Sequence, residues 1–273
     1  MTSGFLNHLF LICQFEINRL FSTRKGLLYL ITFTVVWYFI LNYPIRFASD
    51  FVGQRGGTAS GSNFFEFIGF GSLLNWKIPE LGVYWHFSLI IFPILSIMTC
   101  SDQTCSDRER GTLRFLTLRV SRDSLFFGRF TGAMLIQAML ISATLISTLA
   151  FAIYRDFSLI PIVINSAMAI IVNLIIVLLP FTALMAALSA AVKSTRQATV
   201  WAILIWSFLA GIISLLSSYL PALDSLKILI PGYQMSALSQ LSEWQTLQLA
   251  YIPLLQTVVL LTIGRWIMMR QSL

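Results

Sequence analysis

Charge is what this sequence lacks. Only 11% of its 273 residues are Asp, Glu, Lys or Arg, against about 25% in a soluble domain. With 57% hydrophobic residues, too little polar surface remains to clothe a water-soluble fold, and the chain belongs in a bilayer. Cysteine and histidine are scarce as well, at three and two residues. Cys100 and Cys105 have no further Cys or His beside them to complete a metal site. All three cysteines are expected on the cytosolic side, where thiols stay reduced. The N-terminus has no basic stretch followed by a small-residue cleavage site, so no removable signal peptide is expected.

The groups that drive or catalyse chemistry are missing too. No G-x-x-x-x-G-K-S/T loop is present to cradle nucleotide phosphates, and no His-Glu-x-x-His pair to hold zinc. The apolar runs carry no carboxylate of the kind an ion-coupled carrier uses, and offer no clustered polar site for an intramembrane enzyme. The expectation is a non-enzymatic chain with no metal, cofactor or catalytic residue of its own. Its net charge of +7 does not make it a nucleic-acid binder. The basic residues sit in short loops between apolar runs, where they act as topology signals.

What is present is a series of apolar runs. Residues 5–24 have helical spacing, with Leu6, Leu9, Phe10, Cys13, Ile17, Leu20 and Phe21 opposite Asn7, Gln14 and Asn18. That pattern predicts an amphipathic helix in the plane of the interface; burial in a protein groove would produce the same pattern. Crossings are predicted at about 26–45, 81–101, 124–154, 161–192, 198–219 and 244–264, each long enough to span. Trp37, Tyr38 and Tyr43 read as an aromatic belt. Phe64–Trp76, in a long Gly-containing loop, is apolar but too short to cross. Ile228–Leu241, broken by Pro231-Gly232, is likewise too short. Gly128, Gly132 and Ala133 favour close helix approach. Asn165 and Asn173 are assigned to interhelical hydrogen bonds rather than substrate contact, and His86, near an interface, to a structural role rather than a proton relay. This topology puts thirteen Lys and Arg inside and five outside, with both termini cytoplasmic, as the positive-inside rule requires.

The one long polar segment runs from Ser101 to Arg129. It holds Arg108, Arg110, Arg114, Arg119, Arg122 and Arg129 against Asp102, Asp107, Glu109 and Asp123. Ser106 with Glu109 fits a capping box. Beyond Gly111, Leu113, Leu116 and Val120 share one helical face, while Arg110 and Arg114 share another. Taken alone, these charges fit either a loop that merely orients the chain or a two-faced helix built to dock in the cytosol.

The order of residues adds to this. Asp107-Arg108-Glu109-Arg110-Gly111-Thr112-Leu113, Leu116, Val120-Ser121-Arg122 and Gly128-Arg129 resemble the loop of ABC transporter permeases of the type-2 family. Arg119 stands where that family often has Pro, and Arg129 where it often has Lys. The resemblance implies an all-α integral membrane protein, a single transmembrane domain over residues 1–273. It would have six transmembrane helices, an N-terminal amphipathic interfacial helix, a cytoplasmic coupling helix (loop 102–123) between helices 2 and 3, and a short re-entrant segment between helices 5 and 6. It also implies the permease subunit of an ATP-driven exporter in a bacterial inner membrane. Its partners would be two copies of an ATP-binding subunit, which hold the ATP and Mg, and a second permease copy or paralogue, all within membrane lipid. The implied ATPase-coupling residues are Glu109, Arg110, Thr112, Leu113 and Arg114, with Lys193 and Arg196 as a second contact. Trp85, His86, Trp201 and Trp206, on the crossings that line the family's pathway, are candidates for substrate contact, with anchoring or packing as the competing role. A different class of protein fits the same loop: a non-transporting polytopic scaffold that docks a cytosolic partner.

Overall fold

A computed structural model describes residues 2–46, 76, 78–219 and 227–270. The apolar segment Phe64–Trp76 and the glycines before it lie almost entirely outside these residues. The described chain is helical: α1 Thr2–Ser22, α2 Arg24–Ile40, α3 Pro79–Thr99, α4 Cys105–Glu109, α5 Thr112–Arg119, α6 Arg122–Arg155, α7 Ile160–Ala191, α8 Thr195–Tyr219, α9 Met235–Gln240 and α10 Tyr251–Arg270. Six of its helical segments are long and apolar enough to cross a membrane, containing α2, α3, α6, α7, α8 and α10.

The most apolar of these spans, built on α7, is the centre of the bundle. It packs against α3, α6, α8 and α10 and buries Val163, Ile170, Leu174, Val177 and Leu178 along its length. Toward its C-terminus small buried residues join them, at Ala183, Ala186, Ala187 and Ala190. There α10 comes so close that a Cβ on Gly264 would stand 3.0 Å from the Ala187 Cα. In lipid, where apolar burial does not drive helices together, this close backbone packing is what does. The outward faces of α2 and α8 expose Leu28, Ile31, Tyr38, Phe39, Val200, Ile203, Leu204 and Phe208, as suits helices that face acyl chains.

Three details depart from the sequence reading. Trp37 is not in an interfacial belt. It is buried on α3, 5.2 Å from the Tyr84 ring and 5.5 Å from Phe92, whereas Tyr38 and Tyr43 are exposed. One helical position separates Trp37 from Tyr38, and the rotation between them sends one ring into protein and the other outward. The last helix begins at Tyr251 and runs to Arg270, not 244–264. Residues Glu243–Leu249 form a 3-10 segment, and Pro253 falls in the first turn of α10, where its missing N–H costs nothing. Asn173 bonds to the Ala169 carbonyl of its own helix at 2.7 Å, while Asn165 does reach across, accepting from Trp244 at 3.1 Å.

The amphipathic helix α1 lies along α6. Gly128 and Gly132 form its seat: a Cβ on Gly128 would meet Ile12 at 3.1 Å, and one on Gly132 would meet Glu16 at 3.1 Å. The close approach expected of these glycines is made, and the partner is α1. The contacting face is therefore Ile12, Cys13 and Glu16, one of them an acid. Phe10, Leu11, Phe15 and Phe21 face away from the protein.

Candidate coupling site

The polar segment after α3 folds as two short helices set on the end of the bundle. Gly111 makes the corner between them with φ 70, a left-handed conformation that glycine adopts without a Cβ clash. The expected capping box does not form. Helix α4 starts at Cys105, so Ser106 lies inside it, and the Ser106 N–H is taken by Asp102 Oδ1 at 3.1 Å. An acid four residues upstream thus does the work assigned to a serine.

Two arginines from other elements hold this segment. Arg129, two turns into α6 and 3% exposed, donates to Asp107 and to the Gln103 carbonyl, and its guanidinium lies 3.4 Å from Glu16 of α1. Arg19 of α1 donates to Asp102 and pairs with Glu16 at 3.5 Å. Asp107 also accepts from the Thr112 hydroxyl at 3.1 Å, which braces α5 against α4 across the glycine corner. Burial raises the Glu16 carboxyl above its ordinary value. Arg129 and Arg19 pull it down and Asp107 and Asp102 push it up, so it remains raised on balance.

The segment is tied to the crossings as well. Arg108 donates to the Ala190 carbonyl at 2.9 Å and to those of Ala191 and Val192, capping the C-terminus of α7 with a cation where the helix dipole favours one. Arg122 does the same for α10 through Met268 and Met269, and Arg265 forms a two-point pair with Asp123 at 2.9 and 2.8 Å. Thr195, beside Lys193 and Arg196, donates to Asp102 at 3.3 Å. The two segments that sequence analysis places against a partner are therefore neighbours in space.

The predicted coupling residues divide by exposure. Glu109, Arg110, Thr112, Arg114, Lys193 and Arg196 are on the surface. Leu113 is 2% exposed and points into the bundle, with Leu116 partly buried behind it. The opposite face of α5 presents Phe115 and Leu118, 70% and 80% exposed. Neither was singled out from sequence, though their i, i+3 spacing marks them as one ridge. Asp102, Asp107, Arg108, Glu16 and Arg19 also escaped the site reading, because their pairing is a tertiary fact.

Among the four residues considered for a pathway, Trp85 is buried and donates to the Leu238 carbonyl at 3.1 Å, and Trp206 donates to the Pro231 carbonyl at 2.9 Å. His86 is buried and hydrogen-bonds the Gly82 carbonyl at 2.8 Å. Trp201 is exposed. Deeper in the bundle, Gln137 donates to Ser96 at 3.0 Å, to the Cys100 sulfur at 3.0 Å and to Thr182 at 3.1 Å. Sequence analysis expected no polar cluster among the crossings. One exists, joining α3, α6 and α7, because residues spaced far apart in the chain meet there with their hydrogen-bonding groups paired to each other.

A bundle with six candidate spans, lipid-facing apolar surfaces and a charged two-helix loop braced on one end defines an integral membrane protein. A family model described as ABC-2 family transporter protein matches residues 16–273, nearly the whole chain, and the chain belongs to that family. It is the membrane component of an ABC-2 transporter, a family whose membrane subunit is typically non-catalytic and without a cofactor, with the ATPase on a separate partner. A comparison with curated proteins finds no match.

Proposed function

We propose that this chain is the permease subunit of an ATP-driven exporter in a bacterial inner membrane, both termini cytoplasmic, and that α4 and α5 are its contact with the ATPase. The observation that carries the proposal is the outer face of α5. Phe115 and Leu118 expose large apolar surface beside Glu109, Arg110 and Arg114 on the most polar part of the chain. Exposed apolar residues rimmed by charge are the usual composition of a protein-binding patch. Leu113 roots this face in the bundle, Thr112 braces it against α4 through Asp107, and Lys193 and Arg196 extend it.

The same geometry supports a mechanical role. Motion of α5 driven by ATP binding in two partner ATPases, which would hold the ATP and Mg, is passed on through fixed contacts. Asp107–Arg129 leads to α6, Arg108 to the end of α7, and Asp102 to α1 and α8. Paired groups of this kind transmit rigid-body displacement. Six crossings form half of a translocation unit, so a second copy or a paralogue completes it. In such a unit the second and fifth crossings would line the route, and Trp201 and Trp206 are the members of the pathway set that remain exposed.

The test is purification of the tagged chain from its native membrane, with ATP hydrolysis assayed for wild type, Glu109→Ala and the double variant Phe115→Asp/Leu118→Asp. A stoichiometric ATPase that is lost from the double variant supports the reading. A different cytosolic protein on the same face, with no ATPase in intact complexes, replaces it with the docking scaffold.

A further inference from the structure

At the opposite end of the bundle from the charged loop, the segment before α10 borders a half-open cavity of about 390 Å³ lined by Ile228, Tyr233, Gln234, Ser236, Leu249 and Tyr251 among others. That is a common size for a small-molecule site. Among the described residues, none of its lining side chains is charged. Its walls are pinned rather than loose. Gln256 donates to the Ile228 and Ile230 carbonyls, Trp206 to Pro231 and Trp85 to Leu238.

Gln234 is the residue left unexplained. It is 2% exposed, and neither its amide nitrogen nor its amide oxygen has a hydrogen-bond partner. Buried polar side chains are almost always paired, and a carboxamide with both ends unsatisfied calls for a partner that offers an acceptor and a donor together. From the cavity an exposed stripe continues along α10 through Tyr251, Leu254, Leu255 and Val258. These residues follow the i, i+3, i+4, i+7 pattern of a single helical face, opposite the buried Ile252, Pro253, Gln256 and Thr257.

We propose that this cavity binds the uncharged, hydroxyl-bearing head of an amphiphile whose apolar tail lies along the α10 stripe. Adjacent hydroxyls supply both the acceptor and the donor that the Gln234 amide lacks. Ser236 and the tyrosines add hydroxyl partners, and tyrosine rings suit the C–H face of a sugar. With no cation among the described lining residues, none of them pairs with a phosphate. Such a head could come from a resident neutral glycolipid or from a molecule in transit.

The full-length chain, delipidated in detergent, would be titrated by native mass spectrometry with monoglucosyl diacylglycerol and, separately, with phosphatidylglycerol of the same acyl chains. The expected result is at least ten-fold tighter binding of the glucosyl lipid, with the preference abolished in Gln234→Leu, which removes both amide atoms at similar volume. Gln234→Asn, which keeps the amide but withdraws it by one methylene, should retain the fold and reduce the preference. Equal binding of the two lipids by wild type, or a preference that survives both variants, overturns the proposal. Adding the lipid to the complex with its ATPase separates the sources: Gln234-dependent stimulation of ATP turnover marks a transported ligand, and binding without stimulation marks a resident lipid. The binding arm stands even if the coupling reading fails.

Discussion

Arg129 donates to Asp107 while its guanidinium lies 3.4 Å from Glu16. A single buried cation from a crossing thus holds two separate acids, one in the loop that faces the cytosol in the proposed topology and one in the N-terminal helix. The carboxylates it pairs belong to α4 and α1, so neither element is positioned independently of the other.

Replacing Arg129 with Ala should cost up to roughly 3–5 kcal/mol, because it leaves the part-buried Asp107 without its buried counter-charge and Glu16 with Arg19 alone. Arg129→Lys should recover part of that, since a point charge cannot reach Asp107, the Gln103 carbonyl and Glu16 with one planar fork. Thermal unfolding of the purified chain in detergent is the measurement. An Ala variant as stable as wild type would show that the cluster contributes nothing net.

Glu16 makes docking of α1 pH-dependent, and the sign follows from its raised carboxyl. A group that holds its proton more tightly when folded adds stability that is complete below its unfolded value of 4.5. That stability is lost as pH rises through the higher folded value. Hydrogen exchange of α1 should therefore speed up as pH rises through the range above 4.5, after correction for the intrinsic exchange rate. In Glu16→Gln this corrected dependence should flatten.

Gly132 sets the distance between α1 and α6. Gly132→Leu should force α1 off its seat, at about 1–3 kcal/mol for an overpacked contact. Cys13 reports the event: it is 4% exposed, and burial together with Glu16 raises its thiol above the ordinary range. Alkylation at Cys13, located by peptide mass mapping, should be slow in wild type and fast in the variant. Unchanged labelling would mean that α1 tolerates the added side chain.

Gln137 ties three crossings. Gln137→Leu keeps the volume and removes the amide, and should destabilise by about 0.6–1.7 kcal/mol, the scale of interhelical hydrogen bonds in membranes. Urea or SDS unfolding of the detergent-solubilised chain measures it. A double variant with Thr182→Val should cost less than the sum of the two single changes, because Gln137 and Thr182 share a bond.

The six spans were legible because a bilayer demands long charge-free runs, and Gly26–Ile45 or Pro161–Val192 meets that demand without reference to the rest of the fold. The loop between Ser101 and Arg129 was legible for the opposite reason, as a charged stretch among apolar ones. Phe115 and Leu118 were hidden in it. On a sequence, an apolar residue beside Leu113 looks like core, and only the rotation of α5 on its Leu113 face shows which side is left uncovered.

The sequence by itself determined the solvent, the count of candidate crossings and the family, since each depends on composition and short-range order. Tertiary structure decided the partners. Arg129 reads as one more basic residue at a membrane edge until α1 places Glu16 beside it and α4 places Asp107. Gln234 reads as a loop residue until the turn at Gly232 and the pinned segment around it bury its amide with nothing to bond. Hydropathy is additive along a chain and survives in one dimension. Ion pairing and burial depend on what lies within a few ångströms, and that is settled only when helices far apart in sequence come together.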